Sequence, residues 1–405
     1  MKKNKIPPER LYDVCIIGGA GHVGFPLGLA LAEAGKRVVL YDTNTTNLTL
    51  IKQGRVPFLE EGAGLILKKV IGKKLFTSSD IKNISTAPLV VVAVGTPVDN
   101  YLNPQLRLFM ELFTDLSKYL KTTQTIIIRS TVYPQTCQQI YTLLRKKTKS
   151  RWHIAYCPER IIQGQALIEF KKLPQLVSGL TPKAIRDAKK LFSLISPQIT
   201  NVSINEAELA KLFSNAWRYI QFAVANQFYM IAEEFGVDFN HVKEIMVKGY
   251  RRASSLPTPG FAAGPCLLKD TLQLAAFNKN KFLLGHAAMM VNEGLPGFIV
   301  DQLRTKFDLS KISVGILGMA YKANSDDNRD ALSYKLGKIL RFYGAKVLYS
   351  DEYVKNPTFT TKKKLIETST VVIIGVPHSA YKQVLIPKNV FVVDPWGIVN
   401  IPKPI

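Results

Sequence analysis

A single cysteine, Cys266, follows a run of small residues in GFAAGPCLLKDTLQL (260–274), with Lys269 and Asp270 three and four positions later. A thiol there is either a small core hydrophobe or a nucleophile, and the residue type alone does not choose. If a helix begins just after it, the helix dipole and a nearby ammonium both favour the thiolate. Asp270, one turn on, would share its face. In AELAKLFSNAWR, Lys211 and Asn215 are four apart and project from one helical face. Alone they also read as a solvated lysine beside a surface amide. Ser130 and Thr131 in RSTVYPQT, and Glu159 in YCPERIIQG, each follow a strand-like run. Turn capping accounts for both as readily as proton handling does.

The sharpest pattern lies near the start. GGAGHVG carries Gly19, Gly21 and Gly24 as G-x-G-x-x-G, preceded by the apolar run LYDVCIIG and followed by helical VGFPLGLALAEAG. Asp42 ends the next strand-like run, RVVLYD. Glycines permit a tight turn and close approach to a pyrophosphate, the helix N-terminus favours its charge, and an acid at Asp42 accepts hydrogen bonds from ribose hydroxyls. Asp42 would repel a 2'-phosphate, which selects NAD over NADP.

These groups need a frame. The 405 residues, 47% hydrophobic and 21% charged, suit two or three globular domains rather than a disordered chain. Strand-like runs at 88–97, 124–132 and 153–160 extend the first β-α-β unit toward a parallel sheet covered by helices. From 205 to 235 the pattern becomes one long apolar-periodic helix, about 45 Å of it, which would link two domains and supply a dimer face. Alternation resumes at 312 with ISVGILGMAYK, AKVLYSD, TVVIIGVPH and NVFVVDP, around a helix near 330–343. The expected architecture is α/β: a Rossmann-type dinucleotide domain (1–203), a central helical domain (204–305) and a smaller Rossmann-like α/β domain (306–405).

The four cysteines, Cys15, Cys137, Cys157 and Cys266, show no CxxC or CxxH spacing, which argues against a zinc site or disulfide framework and for a reducing, cytoplasmic setting. Cys15 falls inside the first strand; Cys137 and Cys157 read as structural. Pro7, Pro8, Glu9 and Asp13 interrupt any signal peptide, and no apolar window has the length of a membrane span. The net charge of +24 is dispersed, with small clusters at RKKTKS (145–150) and TTKKKL (360–365) and no nucleic-acid-binding signature. It reads as attraction for anionic small molecules rather than for nucleic acid.

The ordered set GAGHVG, VGTP (94–97), STVYPQT (130–136), PERIIQG (158–164), AELAKLFSNAWR (207–218), GPCLLKD (264–270) and LGMAYKANSDDNR (317–329) resembles the UDP-glucose/GDP-mannose dehydrogenase family over nearly the whole chain, about 11–395. The resemblance implies a four-electron oxidation of a sugar C6 alcohol to a carboxylate with two NAD, through a thioester on Cys266. It implies that Lys211 stabilises the oxyanion, that Asn215 and Asp270 hold water or the substrate oxygen, and that Glu159 with Thr131 assists proton transfer. It places Thr96 with the glycines and Asp42 at the cofactor, makes Lys322 a phosphate contact, and sends Arg329 toward the cofactor or active site of a homo-oligomer. Arg251 or Arg252 would touch the sugar nucleotide. Phe261 and Ala263 stand where the family usually has glycines, and Gln163 and Gln227 where members carry glutamate. The PER triplet resembles the branch acting on UDP-N-acetylhexosamines and Lys269 the branch acting on UDP-glucose or GDP-mannose, so the hexose stays open. Two other readings are a two-electron β-hydroxyacid-type dehydrogenase, which needs neither the thiol nor a second α/β domain, and a non-catalytic NAD or nucleotide-sugar-binding protein of the same fold.

Overall fold

The computed structural model describes residues 11–96, 99 and 105–399. Pro97 of VGTP and the first ten residues, which were read as no signal peptide, lie outside them. The chain divides into two compact units, Met1–Phe213 and Ser214–Ile405.

The first unit runs β1 (Val14–Ile17), α1 (Gly24–Glu33), β2 (Val38–Tyr41), α2 (Thr45–Lys52), α3 (Ala63–Val70), β3 (Leu75–Ser78), β4 (Leu89–Val92), α4 (Leu106–Leu116), β5 (Thr125–Ile128), α5 (Thr136–Thr148), β6 (His153–Tyr156), α6 (Ala166–Glu169), β7 (Gln175–Gly179), α7 (Pro182–Phe192) and β8 (Ile199–Asn201). Its eight strands form one sheet in the order β3-β2-β1-β4-β5-β6-β7-β8. Helices cover both faces, and the strands are apolar on both sides for that reason. In β1, Val14 and Ile16 join the core under α1, α3 and α7, while Cys15 and Ile17 join the core under α4 and α5. Cys15 is a core residue, as its position in the strand required.

Two features depart from the all-parallel expectation. Strands β3, β7 and β8 were not evident in the sequence pattern, and β7 pairs antiparallel to β6, with Ala155 opposite Gly179 and Tyr156 opposite Ser178. A parallel return needs a crossover, normally a full helix. The β6–β7 connection instead spends its residues on the Glu159 loop and one helical turn, α6, so the chain folds straight back. Thr181 caps α7 through its side chain, which accepts from the Ala184 N–H, with Pro182 in the first turn.

The helix α8 (Ile204–Glu234) is continuous for 31 residues, and the division between units falls inside it. The second unit continues with α9 (Phe239–Val247), α10 (Leu267–Phe277), α11 (Leu283–Arg304), β9 (Ser313–Leu317), α12 (Leu332–Phe342), β10 (Lys346–Ser350), α13 (Lys362–Thr368), β11 (Val371–Ile374) and β12 (Phe391–Val393). Its four strands are parallel in the order β10-β9-β11-β12. No helix among the described residues is long and apolar enough to cross a membrane.

Candidate active site

In the first unit the glycine fingerprint forms the turn from β1 to α1. Gly19 donates its N–H to Tyr41 O (3.0 Å). A Cβ on Gly24 would sit 2.2 Å from Gly18 O, so nothing larger fits there, whereas Gly21 has only Gly18 O near it, at 3.5 Å. Gly21 is the open glycine, the one whose backbone a phosphate can approach. Helix α1 has no side-chain cap and no acidic residue in its first turn, leaving its N-terminal amides and dipole to an anion. Asp42 Oδ2 accepts from Ala20 N and Oδ1 from Asn44 N, each at 2.9 Å, and the half-buried carboxylate keeps further lone pairs for ribose hydroxyls. Thr96 lies half-buried just past β4. The cradle fits a dinucleotide.

At the ends of β5 and β6, Ser130 Oγ donates to Val94 O (2.6 Å), and Thr131 follows it half-buried. Glu159 is held from two sides. Its Oε1 accepts the N–H groups of Arg160 (2.7 Å) and Ile161 (3.0 Å), and its Oε2 pairs with Arg129 Nη2. Arg129 has no solvent exposure; its Nη1 donates to Gln175 Oε1 (3.0 Å) and Cys157 O (3.2 Å), and the guanidinium lies over Phe192 and Phe170. Sequence reading passed over this arginine. Its one signal was a charge ending the strand TIIIR, where a strand-end residue reaches the ligand side of a parallel sheet.

A second residue was missed three positions before Lys211. Glu208, 1% exposed, accepts from the backbone N–H groups of Gln135 (2.6 Å) and Cys137 (3.1 Å) at the start of α5. Burial raises its carboxyl above the ordinary range, only partly opposed by the Cys137 and Gln135 donors. Glu208 thereby ties the first turns of α8 to the start of α5, and Lys211, one turn on, is half-buried.

In the second unit Cys266 is the N-cap residue of α10 and is exposed. None of the four cysteines is in a disulfide, and the other three are buried. Burial pushes the thiols of Cys15 and Cys157 up to about 12, and burial together with the Glu208 carboxylate pushes that of Cys137 well above its ordinary value. Asp270, fully buried in the first turn of α10, accepts from Asn215 Nδ2 at 2.5 Å. Lys269 Nζ lies 2.9 Å from Asp270 Oδ1 but off the hydrogen-bonding direction, so that oxygen is paired in charge yet accepts no hydrogen bond. Because a carboxylate only accepts, Asn215 must turn Nδ2 toward it, which leaves Oδ1 as the amide's outward acceptor.

The segment before Cys266 is tightly seated. Phe261 packs into the core beside Tyr229, Leu295 and Ile299. Gly264, at φ +98°, lies against Tyr321, where a Cβ would fall 2.3 Å from the ring. Beyond β9, Lys322 is half-buried and Arg329 forks onto Asp327, Nε to Oδ1 at 2.9 Å and Nη2 to Oδ2 at 2.6 Å. The Asp327 hydrogen bonds raise the Arg329 guanidinium, with Cys266 among the charges it feels. Arg251 is exposed in a single 3-10 turn after α9, beside Arg252.

The second sheet also has a strand-end aspartate. Asp351, after β10, accepts from Met319 N (2.6 Å), Ala320 N (3.0 Å), Tyr353 N (2.7 Å), Val354 N (2.8 Å) and His378 Nε2 (3.1 Å). His378 Nδ1 accepts from Asn324 N (2.9 Å), so its proton sits on Nε2, and neither side chain is exposed. Burial alone would raise Asp351, but the His378, Val354 and Met319 donors outweigh it and hold the carboxyl below the ordinary range.

Three domain models of the UDP-glucose/GDP-mannose dehydrogenase family match the chain in order: the NAD binding domain over residues 12–196, the central domain over 205–293 and the UDP binding domain over 315–401. The chain is 29% identical over 389 residues to the UDP-N-acetyl-D-mannosamine dehydrogenase of Methanococcus maripaludis, covering 92% of this chain and 88% of that one. It is 27% identical over 378 residues to the enzyme of the same name from Pyrococcus horikoshii, 90% of each. A solved structure of a UDP-D-ManNAc dehydrogenase from Pyrococcus horikoshii superposes with a TM-score of 0.89 at 26% identity, covering 96% of both chains.

Proposed function

Because the chain belongs to the UDP-glucose/GDP-mannose dehydrogenase family and is an NAD-dependent oxidoreductase of UDP-sugars, we propose that it oxidises the C6 hydroxyl of a UDP-N-acetylhexosamine of the mannosamine type to the uronate, through a thioester on Cys266. The observation that carries the covalent route is the contrast among the thiols: three are buried with raised pKa, and one stands exposed at a helix N-terminus. The sugar for which these relatives are named supports the choice.

NAD held by the Gly19–Gly24 turn and Asp42 would supply the hydride acceptor in each of two rounds. In the first, the C6 alcohol loses a hydride and a proton and becomes an aldehyde. The Cys266 thiolate then adds to that carbonyl carbon, forming a thiohemiacetal whose oxygen needs donors. Loss of the second hydride leaves the thioester, and water attacks it to release the carboxylate and the thiol. Lys211 supplies the ammonium for the developing oxyanion, a group of a kind worth about 3–4 kcal/mol. Asn215 offers Oδ1 to the sugar hydroxyl or the attacking water, its amide fixed by Asp270. Thr131 and Glu159 hold water at the strand ends and guide its protons. Lys322 meets the nucleotide phosphates, Arg251 the sugar nucleotide, and Arg329 the cofactor side.

The yield of NADH per mole of limiting UDP-sugar tests the reading. Two NADH per UDP-N-acetylmannosamine, lost in Cys266→Ala, is the expected result; one NADH, indifferent to Cys266, would return the thiol to a structural role.

The partner in this reading is a second copy of the chain. Trp217, Val224, Phe228 and Ile231 are exposed along α8 at near-heptad spacing, with Phe235 exposed just past its end, an apolar stripe of the kind that marks an interface. Sedimentation should give a dimer, and Trp217→Glu with Phe228→Glu a monomer.

A further inference from the structure

Two asparagines with no solvent exposure, Asn226 and Asn292, have no part in the chemistry above. Asn226 Oδ1 accepts from Gly260 N (2.7 Å) while its Nδ2 donates to Gly260 O (3.0 Å) and to Asn292 Oδ1 (2.9 Å). Asn292 Nδ2 in turn donates to Tyr219 O (2.9 Å). Both ends of this relay are backbone groups, so every amide orientation is forced: an N–H at Gly260 can only donate and a carbonyl at Tyr219 can only accept. Gly260 itself is buried, at φ +141° beneath the Trp396 indole, which closes its N–H and C=O to water and leaves them outside any strand. One side chain must therefore present a donor and an acceptor together. Aspartate lacks the donor, and a hydroxyl cannot span both.

We propose that Asn226, oriented by Asn292, is a positioning residue for Cys266. Asn215 and Asn226 are eleven residues apart on α8, close to three full turns, and so share one face. Asn215 binds Asp270, four residues after the cysteine; Asn226 binds Gly260, six residues before it. The helix thus grips the cysteine segment on both flanks, and the two amide rungs act together with the packing of Phe261 and Gly264 to set the thiol's place. Losing one rung lets Cys266 drift relative to Asp270, and a displacement near 1 Å costs about 100-fold in a positioned reaction.

This rests on Cys266 being the nucleophile, and the test separates the two. Asn226→Ala, Asn292→Ala, the double variant and Leu303→Ala, a buried α11 residue outside the relay, are compared for kcat, both KM values, Tm and the rate of Cys266 alkylation by iodoacetamide. Asn226→Ala should lower kcat by about 10- to 100-fold with both KM values within about threefold, and change the alkylation rate by about threefold or more. Asn292→Ala should do the same more weakly, and the double variant should be no worse than Asn226→Ala, as a serial relay demands. Leu303→Ala should lose Tm but keep kcat. Loss of kcat no greater than in Leu303→Ala at equal Tm loss, or losses that multiply in the double variant, would make the amides structural only. If Asn226→Ala does not fold, Asn292→Ala carries the comparison. Should Cys266→Ala retain the full NADH yield, the nucleophile reading fails, while the alkylation rates still decide whether Asn226 places the cysteine.

Discussion

In each of the two sheets a second strand is followed by an aspartate, and the two aspartates have opposite fates. Asp42 accepts two backbone N–H groups and stays half open; Asp351 accepts four, adds His378, and is sealed. A strand-end acid is a ribose hook only while it has lone pairs to give. In the second unit the chain has consumed them all in fixing its own turns, so Asp351 has none left for a ribose.

The largest effect should come from breaking the sealed member. Asp351→Ala leaves buried donors without an acceptor and should lower unfolding free energy by about 3–5 kcal/mol in urea titration, with NAD affinity of the folded protein unchanged. Asp42→Ala should do the reverse: stability within about 1 kcal/mol of the parent, NAD affinity down about 10- to 100-fold by fluorescence titration, and a smaller handicap for NADP. If Asp351→Ala weakens NAD as Asp42→Ala does, the contrast is false.

The smallest effect is on acid stability. Asp351 is held below the ordinary carboxylate range when folded, so the unfolded chain takes up the proton first as pH falls. Its contribution is complete above about pH 4 and is lost as pH drops further. Stability measured between about pH 5 and pH 2 should therefore fall more steeply in the parent than in Asp351→Ala.

How much of this was legible in the sequence divides along chain separation. The fingerprint, α8 and the helix opening at Cys266 are local: glycine spacing, apolar period and a few adjacent residues define each. The proposal that Cys266 is a nucleophile likewise came from reading its lysine, asparagine and aspartate companions together. Arg129 with Glu159, Glu208 with Cys137 and Asn226 with Asn292 are separated by 30, 71 and 66 residues, and no period or motif advertises such pairs. The antiparallel β7 escaped for the same reason, since strand direction depends on what the connection does with its length. Asp351 looked like Asp42 in sequence, each closing a β-strand, and only the surrounding donors tell them apart.

The solitary exposure of Cys266 has a bearing on oxidative chemistry. A thiolate open to peroxide first becomes a sulfenic acid, which a neighbouring thiol ordinarily rescues as a disulfide. Cys15, Cys137 and Cys157 are shut inside the first unit, so this chain has no resolving partner of its own. Repair must come from a thiol outside the chain; without one, oxidation runs on to the irreversible sulfinate, and the exposed thiol is the first to be spent.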